Sequence, residues 1–359
     1  MITEQMRYQG CMIGLAAGDA LGTTVEFKSP GSFSPLTDIV GGGPFGLEPG
    51  EWTDDTSMAL CLAESLNEKK GFDLKDQMER YCRWYREGHL SSNGKCFDIG
   101  NTVRTALNNF EATGDPISGS TDSRSAGNGS IMRLAPVPLL YANFPEIAIE
   151  MSRKSSITTH GTITCIDACR YFGGLIVGAA KGASRKELLS PGYRPDGKSW
   201  RKDDLVEEIF EIAEGRYKYK EPPEIKGTGY VVKSLEAALW AFCHSTSFTD
   251  GCLLAVNLGD DADTTGAVYG QLAGAFYGVN DIPDHWIEKI AHRKLIEQLA
   301  VKLFDHSGRI NRDELGKDFD TAFYEEALNS LEDSPYNDMN DFKIIVDALK
   351  RKLNDHNRR

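Results

Sequence analysis

Two sets of glycines constrain this chain more than any other feature. Gly10, Gly14, Gly18 and Gly22 recur every four residues, and Gly266, Gly270, Gly274 and Gly278 repeat the spacing far along the chain. On a helix that spacing puts each set along one stripe. A glycine inside a helix costs about 1 kcal/mol relative to alanine, so eight of them call for a compensating contact. Close approach of one backbone to another is the contact that glycine permits. In lipid the spacing marks helix pairs, but flanking charges and short apolar runs exclude lipid here. Both helices are therefore expected at the centre of the fold, facing either each other or other helices. If they face each other, Asp19 and Glu26 come near the acidic run that opens the second helix.

The remaining pattern is helical almost throughout. Cys61–Leu66, Met78–Tyr85, Val103–Phe110, Ile163–Gly178, Val206–Ala213, Val232–Phe242 and Trp286–Phe304 carry apolar residues at three- and four-residue spacing, and period-2 runs of β-branched residues are absent. This predicts an all-α fold. We read residues 1–309 as a single domain, because no linker separates two cores. The stretch 186–226 contains Pro191, Pro195, Pro222 and Pro223 and reads as a polar surface excursion. Residues 310–359 read as a C-terminal helical extension packed on the same domain, ending in a helix over Asp341–Leu353.

Composition narrows the classes of function. The chain has 359 residues, is 40% hydrophobic and 26% charged, and carries a net charge of −13. That balance disfavours nucleic acid as a partner, since phosphate contacts need lysine and arginine. No run of about 18 uncharged apolar residues is present, which argues against a membrane span. Met1–Tyr8 is polar and lacks the apolar stretch of a secretory signal. The eight cysteines include no C-x-x-C pair, and Cys165 and Cys169 lack the partners of a zinc site. They are expected to be reduced thiols in a cytoplasmic protein.

Two acidic segments, Thr53-Asp54-Asp55 and Asp260-Asp261-Ala262-Asp263-Thr264, each precede a helical pattern. Asp and Thr at a helix start serve as caps, which accounts for one acid per helix. It does not account for two in the first segment and three in the second. Crowded carboxylates repel unless a cation neutralises them or they keep their protons. Carboxylates joined by threonine hydroxyls form an all-oxygen ligand set, suited to Mg²⁺ or Mn²⁺ rather than zinc. The glycine-rich loop Gly41-Gly42-Gly43-Pro44-Phe45-Gly46 lacks the Lys-Ser/Thr ending of a P-loop and serves equally as a flexible entry loop.

At these residues the sequence resembles the ADP-ribosylglycohydrolases, and within them the bacterial branch typified by the dinitrogenase-reductase-activating glycohydrolase. The resemblance is carried by GCMIGLAAGDALGTTVEF, GGGPFGLEPGEWTDDTSMALCLAESL, GKCFDIGNTVRTAL, SAGNGSIMRLAPVPL, SSITTHGTITCIDACRYF and LAVNLGDDADTTGAVYGQLAGAFYG, in the family's order across Gly10–Gly278. It implies an all-α fold with a cleft for two divalent cations, Mg²⁺ or Mn²⁺. The implied ligands are Thr53, Asp54, Asp55, Asp261, Asp263 and Thr264. Asp260 stands where relatives often carry glycine, so it is expected to cap rather than ligate. Glu26 matches an acid/base near the metals. Asp98, in CFDIG, matches a loop carboxylate close to the scissile bond. Gly100, Asn128, Gly129, Ser130, Met132 and His160 match positions lining an ADP-ribose cleft.

The resemblance implies a hydrolase that removes ADP-ribose from modified protein side chains, with arginine the favoured linkage and Glu26, Asp98 and Asp261 as catalytic residues. Two other readings stand beside it. One is an immunity protein that neutralises an ADP-ribosylating toxin by binding it or reversing its modification. The other is a metal-dependent N-glycosidase acting on a free nucleotide derivative.

Overall fold

A computed structural model describes residues 2–311, and the fold is that of the first of two units, Met1–Gly308. The extension expected over 310–359 lies outside the described residues, save for Ile310 and Asn311. Fourteen α-helices are described: α1 (Glu4–Gly22), α2 (Asp54–Lys69), α3 (Leu74–Glu87), α4 (Asn101–Thr113), α5 (Pro136–Leu140), α6 (Pro145–Ile157), α7 (Ile163–Ala180), α8 (Arg185–Leu188), α9 (Glu207–Ala213), α10 (Val231–His244), α11 (Phe248–Val256), α12 (Ala262–Tyr277), α13 (Asp284–Lys289) and α14 (Arg293–Ser307). Among the described residues there is no β-strand, only isolated bridges. The fold is all-α, as the periodicity predicts.

The glycine stripes face each other. A Cβ added to Gly10 would come 2.3 Å from the Gly274 carbonyl oxygen, one on Gly14 2.4 Å from that of Gly270, and one on Gly18 2.0 Å from that of Gly266. Each step of four forward along α1 is a step of four backward along α12, so the helices run antiparallel in fixed register. Gly22 meets Ala262 in the same way, at 2.3 Å. Gly278 closes the seam at its far end, its carbonyl carbon lying 2.7 Å from an added Cβ on Gly10. It ends α12 with φ +76°, and an added Cβ would meet the Ile2 side chain. Every residue of α1 from Gly10 to Gly22 and of α12 from Ala262 to Ala275 is buried. The pair is therefore a core axle, not an amphipathic surface pair.

Two expectations need correction. The helix read over Trp286–Phe304 is two helices, α13 and α14, broken at Ile290-Ala291-His292. The Ala291 N–H donates to the Gly50 carbonyl at 2.9 Å, and the Ala291 carbonyl accepts from the Trp52 indole N–H at 3.1 Å. Both groups are thus committed to the loop before α2, and His292 turns through φ +53° to restart the helix. The stretch 186–226 is more than a surface excursion. It buries Trp200, Leu205, Ile209, Ile212, Tyr217 and Ile225, and α9 packs on α7 and α10.

All eight cysteines are free thiols. Helix α7 is long and apolar enough to cross a membrane by length and composition, and 78% of it is buried within the fold. Its Asp167 and Arg170 form an ion pair at 2.7 Å.

Candidate active site

Helices α2 and α12 both start at the acidic segments, so two positive helix ends meet one group of carboxylates. What holds α2 there is Asp19, from the glycine-striped helix α1. Asp19 Oδ1 accepts from the Thr53 N–H and hydroxyl, each at 2.9 Å, and Oδ2 accepts from the Thr56 N–H at 3.0 Å and hydroxyl at 2.6 Å. The capping is therefore done by a remote carboxylate. Thr53 occupies the N-cap position of α2, yet its own side chain caps nothing.

Thr53 thus sits where several acids meet. Its hydroxyl oxygen lies 3.2 Å from Asp55 Oδ2 and 3.2 Å from Asp263 Oδ2, besides Asp19. Thr264 Oγ1 lies 3.4 Å from the same Asp55 oxygen. A hydroxyl has one hydrogen to donate, so Thr53 cannot satisfy three carboxylates. Three further carboxylate oxygens, Glu26 Oε2, Asp55 Oδ1 and Asp263 Oδ1, are buried with no hydrogen-bond partner. An all-oxygen set with buried, unmet acceptors fits a hard divalent cation. The carboxylates that approach within 4.8 Å of one another are Asp19, Asp55 and Asp263 in one group, and Glu26, Asp98 and Asp263 in another. Asp54 and Asp261 belong to neither group, though both stand at the same helix starts. Asp19, with both oxygens engaged by α2, is better placed to position ligands than to be one.

Asp261 is held from three sides. Its N–H donates to the Gly227 carbonyl at 2.8 Å, its carbonyl accepts from the Thr265 N–H and hydroxyl, and its Oδ2 accepts from the Asn128 side-chain amide at 2.8 Å. Asp261, not Asp260, takes the N-cap position of α12. This corrects the expectation that Asp260 caps. Asp260 sits one residue outside the helix at φ +54°, where its backbone pairs with Phe27 and Lys28. Gly227 and Gly229 pack over this start, with an added Cβ on Gly227 falling 2.6 Å from Thr265 Oγ1 and one on Gly229 3.3 Å from Asp261 Oδ2. The sequence reading missed these two glycines and the positioning role of Asp19. A Gly-x-Gly just before α10 is the only signal the chain carries for the former.

Crowding and burial set the proton affinities. Burial first, then the charges of its neighbours, pushes Asp54, Asp55 and Asp263 well above the usual carboxylate range. Glu26 is pushed up to about 10, by burial and then by Asp98 and Asp261. Asp98, half-buried at φ +53° in its loop, is raised to about 8 by burial and then by Asp261. Asp19 rises to about 6 through burial, partly offset by its bonds from Thr56 and Thr53. Burial raises Asp261 as well, against the Asn128 hydrogen bond. Without a cation these groups keep protons, because so many buried like charges cannot ionise together.

Of the residues expected around ADP-ribose, Asn128 reaches this group, through Asp261. Gly100 is the exposed N-cap of α4, with nothing within 4 Å of an added Cβ. Asn128 links the two regions through Asp261 and also donates to Ser234 Oγ at 3.3 Å. Ser130 and Met132 are buried, Ser130 against Cys169. His160 is 2% exposed. Burial, then the buried guanidinium of Arg133, lowers its pKa to about 3, so the ring is neutral. Arg133 Nη2 donates to Thr159 Oγ1 at 2.7 Å, and that oxygen lies 2.9 Å from His160 Nδ1. The Thr159 hydrogen is then free to reach Nδ1, which leaves the ring proton on Nε2. Gly129 gives the ring room: an added Cβ there would come 2.7 Å from His160 Cε1.

Known proteins place this arrangement. The family model for ADP-ribosylglycohydrolases matches residues 2–312. The chain is 44% identical over 305 residues to ADP-ribosylarginine hydrolase Tri1 of Pseudomonas putida, covering 85% of this chain and 80% of the relative. It is 43% identical over 296 residues to the protein of the same name from Serratia proteamaculans, covering 82% and 78%. It is 31% identical over 288 residues to the ADP-ribosyl-[dinitrogen reductase] glycohydrolase of Rhodospirillum rubrum, covering 79% and 90%. A solved structure described as an ADP-ribosylglycohydrolase-related protein complex matches with a TM-score of 0.75 at 44% identity, over 85% of this chain and 99% of that one. With a helical fold, a buried acidic cluster and matches across most of its length, the chain belongs to the ADP-ribosylglycohydrolase family.

Proposed function

We propose that this protein is a metal-dependent ADP-ribosyl-protein hydrolase that cleaves the N-glycosidic bond between ADP-ribose and an arginine side chain. The observation that carries the reading is the set of buried, partnerless carboxylate oxygens on Glu26, Asp55 and Asp263, in a chain over 40% identical to proteins named ADP-ribosylarginine hydrolase. Two divalent cations, Mg²⁺ or Mn²⁺, would be held by Thr53, Asp54, Asp55, Asp261, Asp263 and Thr264. When bound, they supply charge neutralisation and Lewis-acid polarisation.

The chain's own residues do the rest. Glu26, in its ionised form, takes the proton of the attacking water. The water oxygen bonds to the anomeric carbon, the C–N bond breaks with its electron pair passing to the guanidine nitrogen, and that nitrogen is reprotonated. Positive character builds on the ribose ring during cleavage, and the surrounding carboxylates stabilise it. Asp98 pairs with the departing guanidinium through charge-assisted hydrogen bonds. Asn128 keeps Asp261 oriented. Gly100, Gly129, Ser130, Met132 and His160 shape the nucleotide side, with the neutral His160 offering its Nε2 proton as a donor. Eight free thiols suit a reducing, cytoplasmic setting.

The test is release of ADP-ribose from an arginine-ADP-ribosylated protein, with and without Mg²⁺ or Mn²⁺, beside Asp261→Asn. Label lost only from wild type and only with a cation supports the reading, and label retained in every tube refutes it. The same variant tests the immunity reading: if Asp261→Asn still protects cells from an ADP-ribosylating toxin, protection comes from binding, not hydrolysis.

A further inference from the structure

Three phenylalanines from three separate loops meet beside the carboxylates. Phe27 and Phe45 contact edge to face with ring centroids 6.5 Å apart, and Phe45 and Phe97 are tilted at 5.3 Å. Phe27 is one peptide from Glu26, and Phe97 one peptide from Asp98. Those two acids bring carboxylate oxygens within 4.8 Å of each other, so two of the three rings are anchored on backbone that leads directly into the acidic group.

Each ring sits on backbone that is costly or specially built. Phe27 adopts φ +60°, a conformation rare for a bulky side chain that collects at ligand clamps. It is held there by a hydrogen bond from its N–H to the Asp260 carbonyl at 2.7 Å. Its ring nonetheless stays 67% exposed, so core packing does not repay the strain. Phe45 rides at the tip of a glycine hairpin closed by Gly42 and Leu47. Gly43 seats that hairpin on the end of α1, since an added Cβ would fall 2.1 Å from the Thr23 carbonyl. Phe97 precedes Asp98, itself at φ +53°. Nothing in the hydrolysis mechanism uses these rings.

We propose that Phe27, Phe45 and Phe97 form an aromatic rim that takes the flat face of the substrate's guanidinium while Asp98 takes its edge, and so select arginine-linked ADP-ribose. This rests on the arginine reading above. Guanidinium is a planar, weakly hydrated cation that stacks on aromatic faces and pairs through its edge with carboxylates. Rings beside carboxylates offer it both contacts, and a neutral linkage only one.

The experiment is steady-state hydrolysis of free ADP-ribosylarginine with Mn²⁺ by wild type, Phe45→Ala, Phe97→Ala, Phe45→Leu and Phe97→Leu, each checked for folding by its thermal melt. The free amino-acid conjugate removes any contribution from protein docking. Both alanine variants should raise KM about five- to tenfold, with kcat within about twofold. The leucine variants should be equally weakened, because an aliphatic side chain keeps apolar bulk and loses the π face. Leucine variants with wild-type KM, or alanine variants with unchanged KM, overturn the rim while leaving the hydrolase intact. A wild type inactive on this conjugate but active on another ADP-ribose linkage overturns the arginine reading, and the rim with it.

Discussion

On the Asn128–His160 side of the site most polar groups answer one another, Arg133 Nε being the buried exception. Asn128 gives its amide to Asp261 and Ser234, Arg133 gives Nη1 to the Gly129 carbonyl at 2.5 Å and Nη2 to Thr158 and Thr159, and Thr159 meets His160. On the side formed by the starts of α2 and α12, carboxylate oxygens are buried without partners, and one threonine hydroxyl is shared among three acids. A satisfied network holds a shape. An unsatisfied one stores a demand that a ligand meets, and in a buried setting that demand is costly. The difference fits the roles proposed above, with one side offering fixed surfaces to a nucleotide and the other a place for cations.

Breaking the demanding side should have the largest effect. Asp263→Ala removes the carboxylate common to both acidic groups and should lower hydrolysis about a thousandfold, roughly 4 kcal/mol of transition-state stabilisation. Asp263→Asn should also melt higher than wild type in the absence of metal, since it relieves like-charge crowding. A lower metal-free melting temperature would contradict the crowding argument.

The axle beneath both sides comes next. Gly14→Leu or Gly270→Leu forces a side chain where even a Cβ lies 2.4 Å or 2.0 Å from a facing carbonyl oxygen, and should cost about 3 kcal/mol of stability. Gly100→Ala, with open space around it, should cost about 0.5–1 kcal/mol of stability, the preference of an N-cap for glycine over alanine. Asn128→Ala on the satisfied side should reduce activity about tenfold, by loosening Asp261 without removing a ligand. Smallest of all, His160 stays neutral down to about pH 3. His160→Gln should therefore leave the shape of the pH–rate profile unchanged above pH 5, and loss of an inflection there would show that the histidine titrates.

The sign of the pH effect also differs between the sides. Asp98 and Glu26 are raised to about 8 and about 10 in the folded chain, against ordinary values near 4. The folded state thus binds more protons than the unfolded chain across that interval. Stability present at about pH 4 is lost as pH rises toward about 10. Metal-free melting temperature should fall over this range, and saturating Mn²⁺ should flatten the fall.

Much of the axle was legible because glycine spacing reports backbone contact directly: both stripes were readable, and only their mutual contact stood open. The acidic segments were legible as clusters too dense for capping. What stayed hidden depends on contacts far apart in the chain. Asp19 caps α2 from another helix, a contact that no local pattern around Thr53 announces. The break at Ala291 exists because Gly50 and Trp52 claim its backbone, and a periodic pattern cannot show that. The buried residues of 186–226 looked like a polar excursion because their apolar positions are scattered among prolines and lysines. The three phenylalanines follow no period at all.

The central claim is that the unmet carboxylates form a divalent-cation site, and calorimetric titration of Mn²⁺ into metal-stripped protein at several pH values tests it most directly. The account predicts saturable binding with proton release, because the buried acids must surrender protons to the cation, and loss of both signals in Asp263→Asn. Equal heats for wild type and Asp263→Asn, or no proton release at neutral pH, would contradict it.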